Sequence, residues 1–414
     1  MTEMSPWRSR LPLINSVLLG ILFFTIPTHV APAYMVSALM LVVLLMQGNF
    51  RNIPYRNPVL WLMLSYYAIY ALGLLWTENM LAGQRMLGKQ TFFLLFPIYL
   101  AAARPEHIRY YLNAFIISVT LSELLAYYNW LQIYHFPDWP KGISAGKDFV
   151  DIGPFVDHIL YTPILALGAY LLGHAIFLEK IPVSRRCVFM LFLSTMTANV
   201  FISGGRAGQV AYFSLMALLM LQKFSKRPMM ALMLAAATVL SLFGVAYLAS
   251  DTFSSRANLV IHEALNFKTN PNTSVGLRIN WAMTSWELFC QHPWLGVGTG
   301  DFTDAFAQLA AQIAPSVDTT FNPHNQYLFA LTTTGLLGGG ALLALLIAPP
   351  WLWRKQKQQD SYPHLRIALV FLYLVICFSE SYLWRSNTSL MFVAFTAVLY
   401  KYSRAGFVHE NIRH

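Results

Sequence analysis

Long apolar runs constrain this chain more than any other feature. A helix that crosses a bilayer needs about 20 mostly apolar residues. Runs of this kind are found at 12–28, 33–47, 58–76, 90–103, 108–134, 159–178, 186–202, 207–222, 228–248, 325–348, 365–383 and 387–402. Hydrophobic residues make up 57% of the 414 and charged residues only 11%, whereas a soluble domain usually carries about 25% charged residues. The sequence therefore predicts an all-α polytopic membrane protein with about twelve transmembrane helices, within a range of about eleven to thirteen.

The basic residues predict the orientation. Cytoplasmic loops carry an excess of Lys and Arg, and with both termini inside, most of the 28 Lys and Arg residues fall on the cytoplasmic side. We therefore expect a multi-pass protein of the inner membrane with both termini in the cytoplasm, and the net charge of +10 gives no reason to expect nucleic acid as a partner. A minority of basic residues falls on the outer, periplasmic side and needs another explanation: Arg85, Lys89, Lys141, Lys147, Arg206, Arg256, Lys268, Arg278 and Arg385.

The chain divides into three parts. Residues 1–248 hold the first nine spans, residues 249–324 form a large periplasmic loop, and residues 325–414 hold spans ten to twelve and a cytoplasmic C-terminal tail. Within the loop, 274–291 predicts an amphipathic helix, which should end at His292-Pro293 because the residue before a proline disfavours the α conformation. A second short helix is expected over 301–313. Amphipathic helices that carry tryptophan commonly lie in the membrane interface.

Two outer arginines are candidates for binding an anion. Arg206 follows a glycine turn, Ser203-Gly-Gly, at the amino end of a predicted helix, and such an end carries a partial positive charge. Arg278 lies in the first turns of the predicted 274–291 helix, and a guanidinium binds phosphate oxygens in bidentate fashion. Each arginine also has a simpler interpretation, as a side chain that snorkels to the interface or is solvated. Together they form a candidate pyrophosphate clamp.

His324 is the candidate general base. In Asn322-Pro323-His324-Asn325 we expect Asn322 to cap a helix and Pro323 to be its first residue. His324 would then lie in the first turn, where the helix dipole disfavours the imidazolium. A neutral imidazole is the form that a general base requires. The alternative is an interfacial histidine that is hydrogen-bonded to a backbone carbonyl.

Several neighbouring residues are weaker candidates. Arg85 and Lys89 share a helical face and could attract an anionic lipid, although snorkelling is the preferred explanation. Glu287 could be a second acid–base group or a partner of Arg278, and Asn325 adjoins the proposed base. Asp157-His158 could orient a substrate, although a solvated loop pair is preferred. Gly296-Val-Gly-Thr-Gly300 lacks the strand and helix frame of a nucleotide loop. No motif has the spacing of metal ligands, and no cofactor is expected.

These motifs resemble the bacterial O-antigen ligase and polymerase superfamily of membrane glycosyltransferases. The resemblance rests on the Gly-Gly-Arg206 turn, on Gly276-Leu-Arg278 followed by His292-Pro-Trp-Leu-Gly-Val-Gly298, and on Asn322-Pro-His324-Asn-Gln-Tyr-Leu-Phe with the later Gly335-Leu-Leu-Gly338. A large outer loop between the ninth and tenth of about twelve spans completes the match. The resemblance implies a GT-C-like membrane fold.

It also implies the reaction. Members use a glycan on undecaprenyl pyrophosphate as donor, and the ligase branch transfers it to lipid A–core on the periplasmic face. Here Arg206 and Arg278 would bind the pyrophosphate without a metal, and His324 would deprotonate the acceptor hydroxyl in an inverting displacement. An O-antigen polymerase or a protein O-oligosaccharyltransferase would use the same donor. A lipid-linked glycan flippase or transporter is the alternative from another class, and it would have to depend on Glu123 and Glu380, the exceptional charges within the predicted spans.

Overall fold

A computed structural model describes residues 10–48, 53–144, 151–354 and 362–401. Lys147 and the predicted cytoplasmic tail beyond residue 401 lie outside this part of the chain. The described residues form α-helices and no strand. The helices are α1 (Leu11–Thr25), α2 (Val30–Gln47), α3 (Pro58–Leu72), α4 (Met80–Lys89), α5 (Thr91–Ala102), α6 (Ile108–Tyr134), α7 (His158–Leu178), α8 (Val183–Ile202), α9 (Arg206–Lys223), α10 (Pro228–Ala249), α11 (Asp251–Leu265), α12 (Ser274–Gln291), α13 (Phe302–Ile313), α14 (Gln326–Arg354), α15 (Pro363–Ile376) and α16 (Ser386–Leu399).

The helices confirm a polytopic membrane protein. In the described residues, 7 helical segments are long and apolar enough to cross a bilayer: Val30–Gln47, Pro58–Trp76, Pro105–Tyr134, His158–Leu178, Val183–Ile202, Pro228–Ala249 and Gln326–Arg354. Leu11–Thr25, Pro363–Ile376 and Ser386–Leu399 are shorter apolar helices. Every predicted run overlaps one of the α-helices, while the number of spans stays a prediction.

The predicted 249–324 loop is helical for much of its length. Helix α12 has the bounds predicted from its amphipathic pattern, and α13 begins one residue later than expected. Helix α11 was not predicted from the sequence. The predicted span 365–383 was wrong at its end: α15 stops at Ile376, and residues 377–385 form a non-helical, mostly buried connection to α16. This connection carries Glu380.

Helix α14 is broken where the outer segment contacts it. Gly335 has φ 65° and ψ −158°, a conformation that only glycine adopts readily. The carbonyls of Thr332 and Thr333 accept hydrogen bonds from the backbone N–H groups of Val297 (2.8 Å) and Gly298 (3.0 Å). The glycine motif at 296–300 thus satisfies the backbone of a broken membrane helix, as it must where water is scarce. This packing fixes the outer segment beside the start of α14.

Helix α7 lies at the centre of the bundle and α10 at its edge. Most side chains of α7 are buried, whereas α10 exposes large apolar residues such as Leu240 and Leu248, as expected of a helix that faces lipid. The amino end of α7 therefore lies centrally on one face of the bundle. Helices α9 and α12 also begin on this face, and their first residues meet those of α7 around one cavity.

Candidate functional site

A cavity of about 340 Å³ lies where α7, α9 and α12 begin. Its wall includes the first residue of each helix, His158, Arg206 and Ser274. The amino end of a helix presents unpaired N–H groups and a partial positive charge of about half a unit. Of these three ends, that of α9 has no side-chain cap, whereas carboxylates accept from the His158 N–H at the start of α7 and from the Val275 N–H at the start of α12. The start of α9 is therefore the end best suited to an anion. The remaining wall is formed by Ile159, Gly204, Gly205, Ala207, Arg256, Leu259, Arg278 and Ser379.

Two glycines explain why α9 begins at the cavity. Gly204 has φ +69°, which allows the chain to turn sharply from α8 into α9. A Cβ at Gly208 would lie 2.2 Å from the Cβ of Thr162, so only glycine permits this approach of α9 to α7. Gly205 is the N-cap of α9 and supplies no side-chain cap. The first N–H groups of α9 therefore stay available to a ligand.

Three arginines share the cavity. The Arg206 Nη1 donates to Ser274 Oγ at 3.4 Å, and the Arg256 Nη1 donates to the Gly204 carbonyl at 2.5 Å. Arg278 reaches the same wall from the second turn of α12. None of them is within ion-pair distance of a carboxylate in the described residues, although Arg206 experiences the opposite charge of Glu263 as well as the like charges of the other two. The structure thus brings together Arg206 and Arg278, and adds Arg256.

His324 does not have the environment that the sequence predicted. Helix α14 begins at Gln326, and Asn325 caps it by accepting from the N–H groups of Tyr327 (3.0 Å) and Leu328 (3.1 Å). The expected cap at Asn322 is therefore wrong, and His324 precedes the helix instead of lying in its first turn. Its φ of 51° is uncommon for a residue other than glycine.

A carboxylate orients His324. The Nδ1 of His324 lies 2.7 Å from the Oε2 of Glu380, which is 1% exposed. The other oxygen of Glu380 accepts from Asn322 Nδ2 (2.6 Å) and from the Ser381 N–H (2.8 Å). The Arg385 Nη2 also donates to Oε2, at 3.3 Å. Asn322 holds the backbone as well, because its Oδ1 accepts from the N–H of His324 at 3.1 Å.

The hydrogen bond to Glu380 determines which ring nitrogen of His324 carries the hydrogen. Burial would raise the pKa of Glu380, but the hydrogen bond from His324 and the charge of Arg385 lower it to about 2. Glu380 is therefore a carboxylate that can only accept, and Nδ1 of His324 must carry the hydrogen. In the neutral imidazole the lone pair is then on Nε2, which can accept a proton from a substrate. This is the geometry of an oriented general base.

Helix α12 joins the base to the arginine cavity. Arg278 and Trp281 are three residues apart, so they lie on one face of the helix. The indole of Trp281 stacks on the His324 imidazole, with ring centroids 5.1 Å apart and planes inclined by 22°. Its Nε1 donates to the carbonyl of Asp318 at 2.6 Å, which fixes the ring. The candidate base and one of the three arginines are thereby held by a single rigid element.

The weaker candidates Glu287, Arg85 and Lys89 differ in how close they lie to Arg278 and His324. Glu287 is exposed and accepts from Gln291 Nε2 at 3.3 Å, about 13 Å along α12 from Arg278 at the usual rise per residue. Arg85 is exposed on α4. Lys89 places its Nζ 3.8 Å from the centroid of the Trp384 ring. Burial, together with the nearby charge of Arg385, lowers the pKa of Lys89. Lys89 is thus connected to the His324 network, whereas Arg85 and Glu287 are peripheral to it.

Glu380, Arg256 and His158 are the main residues that the sequence did not assign to a site. Glu380 was visible as a carboxylate in an almost uncharged stretch, a signal of function in membrane proteins. Arg256 was visible as an outer arginine that opposes the charge bias. His158 was taken for part of a solvated pair, yet its Nδ1 lies 2.8 Å from Asp151 Oδ2 and its side chain lines the cavity. Asp157 caps α7 instead, by accepting from the Leu160 N–H at 3.0 Å.

Fold and site together define a multi-pass helical membrane protein with an arginine-lined cavity and a histidine that a buried carboxylate orients. Residues 190–343 match the family model described as O-antigen ligase. This match supports assignment of the chain to the O-antigen ligase/polymerase family and confirms the resemblance seen in the sequence. The matched region contains Arg206, Arg278 and His324, while His158 and Glu380 lie outside it. No curated protein matches the chain.

Proposed function

We propose that this chain is an O-antigen ligase that transfers a glycan from undecaprenyl pyrophosphate to lipid A–core on the periplasmic face of the inner membrane. The observation that carries the proposal is the joint placement, by α12, of a cavity with three arginines and a histidine with an available Nε2. A lipid-linked glycan and a lipid acceptor are the substrates that the family implies.

The cavity accounts for the donor. When the bond between sugar and phosphate breaks, the leaving pyrophosphate gains a negative charge. Arg206 and Arg278 can neutralise this charge through bidentate hydrogen bonds, without a metal. The uncapped amino end of α9 adds a fixed partial positive charge that needs no reorganisation during the reaction.

The histidine accounts for the acceptor. A sugar hydroxyl is a weak nucleophile, and Nε2 of His324 can remove its proton as the oxygen attacks the anomeric carbon. Glu380 stabilises the imidazolium that forms, in the role that a buried carboxylate has in other histidine-containing sites. Displacement with one base and no protein nucleophile inverts the anomeric configuration.

Two alternatives within the family use the same donor chemistry. An O-antigen polymerase would accept a second polyprenyl-linked glycan, and a protein O-oligosaccharyltransferase would accept a Ser or Thr side chain. The lipid-linked glycan transporter is weakened, because Glu380, one of the two carboxylates on which it depended, lies outside α15 and binds His324. Glu123 is buried in α6 and remains the other.

One experiment separates these functions. Purified protein is supplied with undecaprenyl-pyrophosphate-linked glycan and lipid A–core, and the products are resolved by size. A ladder of larger lipopolysaccharide is expected from a ligase, whereas elongation of the donor would indicate a polymerase and no turnover would favour transport. His324→Ala should lower the transfer rate by about 10²- to 10⁴-fold, the usual contribution of a general base. His292→Gln is the matched control, since His292 ends α12 as its C-cap, outside the proposed base and cavity, and should retain the rate.

A further inference from the structure

A second histidine–carboxylate pair lies at the arginine cavity. His158 is the first residue of α7 and lines the cavity, and its Nδ1 is 2.8 Å from the Oδ2 of Asp151. The mechanism proposed above does not use this histidine. It differs from His324 in what it faces, because the groups across the cavity from His158 are guanidiniums rather than an indole ring.

Asp151 is held as an acceptor. Its Oδ1 accepts from the Gly153 N–H at 2.9 Å, and its Oδ2 accepts from the backbone N–H of His158 at 2.8 Å. Burial would raise the pKa of Asp151, but the hydrogen bonds from His158 and Gly153 lower it. Because an ionised carboxylate can only accept, Nδ1 of His158 carries a hydrogen. Nε2 is therefore the atom left for a ligand.

The charged groups around His158 come from several elements. Asp151 and Asp157 lie on its own side, and Arg206, Arg256 and Arg278 lie across the cavity on α9, α11 and α12. A diphosphate bound among these arginines would bring negative charge close to Nε2. Nearby negative charge favours the protonated imidazole. In that form both ring nitrogens donate hydrogen bonds.

We propose that His158 is a proton-linked ligand of the pyrophosphate group of the donor. Its Nδ1–H donates to Asp151, and its Nε2–H donates to a phosphoryl oxygen while the ring is an imidazolium. When the bond from the sugar to the phosphate oxygen breaks, the electron pair stays on that oxygen, and the acceptor proton goes to His324. The imidazolium of His158 offsets the added negative charge and keeps its own proton. This inference rests on the proposed function, since it assumes that the cavity binds the donor.

Binding of a defined probe tests the inference without any transfer reaction. The probe is P1-methyl P2-farnesyl pyrophosphate, a diester that keeps two negative charges between about pH 5.5 and pH 8.5. Its Kd is measured on the purified full-length chain across this range. For the wild type we expect binding to weaken about tenfold or more toward high pH, because a charged donor is replaced by a neutral ring. His158→Gln should bind the probe at every pH with the weak affinity that the wild type shows at high pH. Asp151→Asn should reduce the pH dependence of the Kd for the probe.

Two controls make the result decisive. His292→Gln should retain the wild-type pH dependence, and the same series in a His324→Gln background removes any contribution of the proposed base. An unchanged pH dependence in His158→Gln, with affinity still lost in Arg206→Gln, overturns the role of His158 and leaves the proposed function intact. A wild type that does not bind the diester, or a diester affinity that Arg206→Gln leaves unchanged, overturns both.

Discussion

Arg366 and the arginines of the cavity differ in what their guanidinium groups contact. Arg366, at the start of α15, is buried and donates from Nε to the carbonyl of Leu399 at 2.7 Å, where α16 ends. Its guanidinium also lies 4.0 Å from the centroid of the Trp353 ring. A cation at a helix carboxyl end is stabilised by the dipole. Its partners are therefore parts of the fold itself.

The arginines of the cavity have different partners. Like Arg366, Arg206 and Arg278 lie in the first turns of their own helices, α9 and α12, but Arg206 experiences the like charges of Arg256 and Arg278 besides the opposite charge of Glu263. Like charges held close together oppose folding, and a bound anion would offset them. The difference indicates that Arg366 stabilises the fold, and it supports the proposal that the arginines of the cavity bind an anion.

The largest expected effects come from replacing each kind of arginine by glutamine and comparing ligand binding with thermal stability. The Arg206→Gln, Arg278→Gln double variant should weaken binding of undecaprenyl pyrophosphate by about 10²-fold or more, since each charged hydrogen bond contributes about 1.5–3 kcal/mol. Its thermal stability without ligand should be equal or higher. Arg366→Gln should do the reverse, lowering the unfolding temperature with little change in Kd. Ligand titration and thermal unfolding of the purified proteins measure both quantities. A double variant that unfolds early but binds normally would contradict the distinction.

The next test asks whether Glu380 acts on the reaction or only on folding. Glu380→Gln should lower kcat by about 10- to 100-fold, as loss of an orienting carboxylate does around other sites, and should leave the Kd for undecaprenyl pyrophosphate unchanged. Because the pKa of Glu380 is lowered from 4.5 to about 2, its contribution to stability is fully present above pH 4.5 and is lost as pH falls toward 2.

The pH dependence of unfolding gives this prediction its control. The stability difference between wild type and Glu380→Gln should be constant above about pH 4.5 and should shrink below it. Glu106→Gln changes an exposed glutamate far along the sequence and should match the wild type in kcat and in unfolding temperature. If Glu380→Gln retained the wild-type kcat, the carboxylate would be a structural partner only.

The smallest expected effect concerns the indole that stacks on the base. Trp281→Leu should lower kcat by about two- to tenfold, because an aromatic pair contributes about 0.5–1.5 kcal/mol to the placement of its members. Trp286→Leu is the matched variant on the same helix, since Trp286 is exposed and its ring contacts Phe289 instead. Steady-state kinetics at saturating donor compares the two. Equal rates for both variants would show that stacking does not position His324.

Much of the fold followed from the sequence because apolar length and period are local properties. The bounds of α12 agree with the prediction since the amphipathic pattern and Pro293 act on neighbouring residues. Local rules failed where distant segments meet. Residues 377–383 were predicted to continue the span that begins at residue 365, yet the chain leaves the helix there, and Glu380 and Ser381 form hydrogen bonds with the distant Asn322.

Composition and motifs predicted a multi-pass helical membrane protein that resembles the O-antigen ligase/polymerase family, and they singled out Arg206, Arg278 and His324. These follow from composition, charge bias and short motifs, all of which are readable along one chain. The neighbours of these three residues became visible only in the folded chain: Arg256 and His158 line the same cavity as Arg206 and Arg278, and Glu380 accepts from Nδ1 of His324. A hydrogen bond or a shared cavity depends on how distant helices are placed in space. His324 and Glu380, for example, become neighbours only when α14 and α15 pack together.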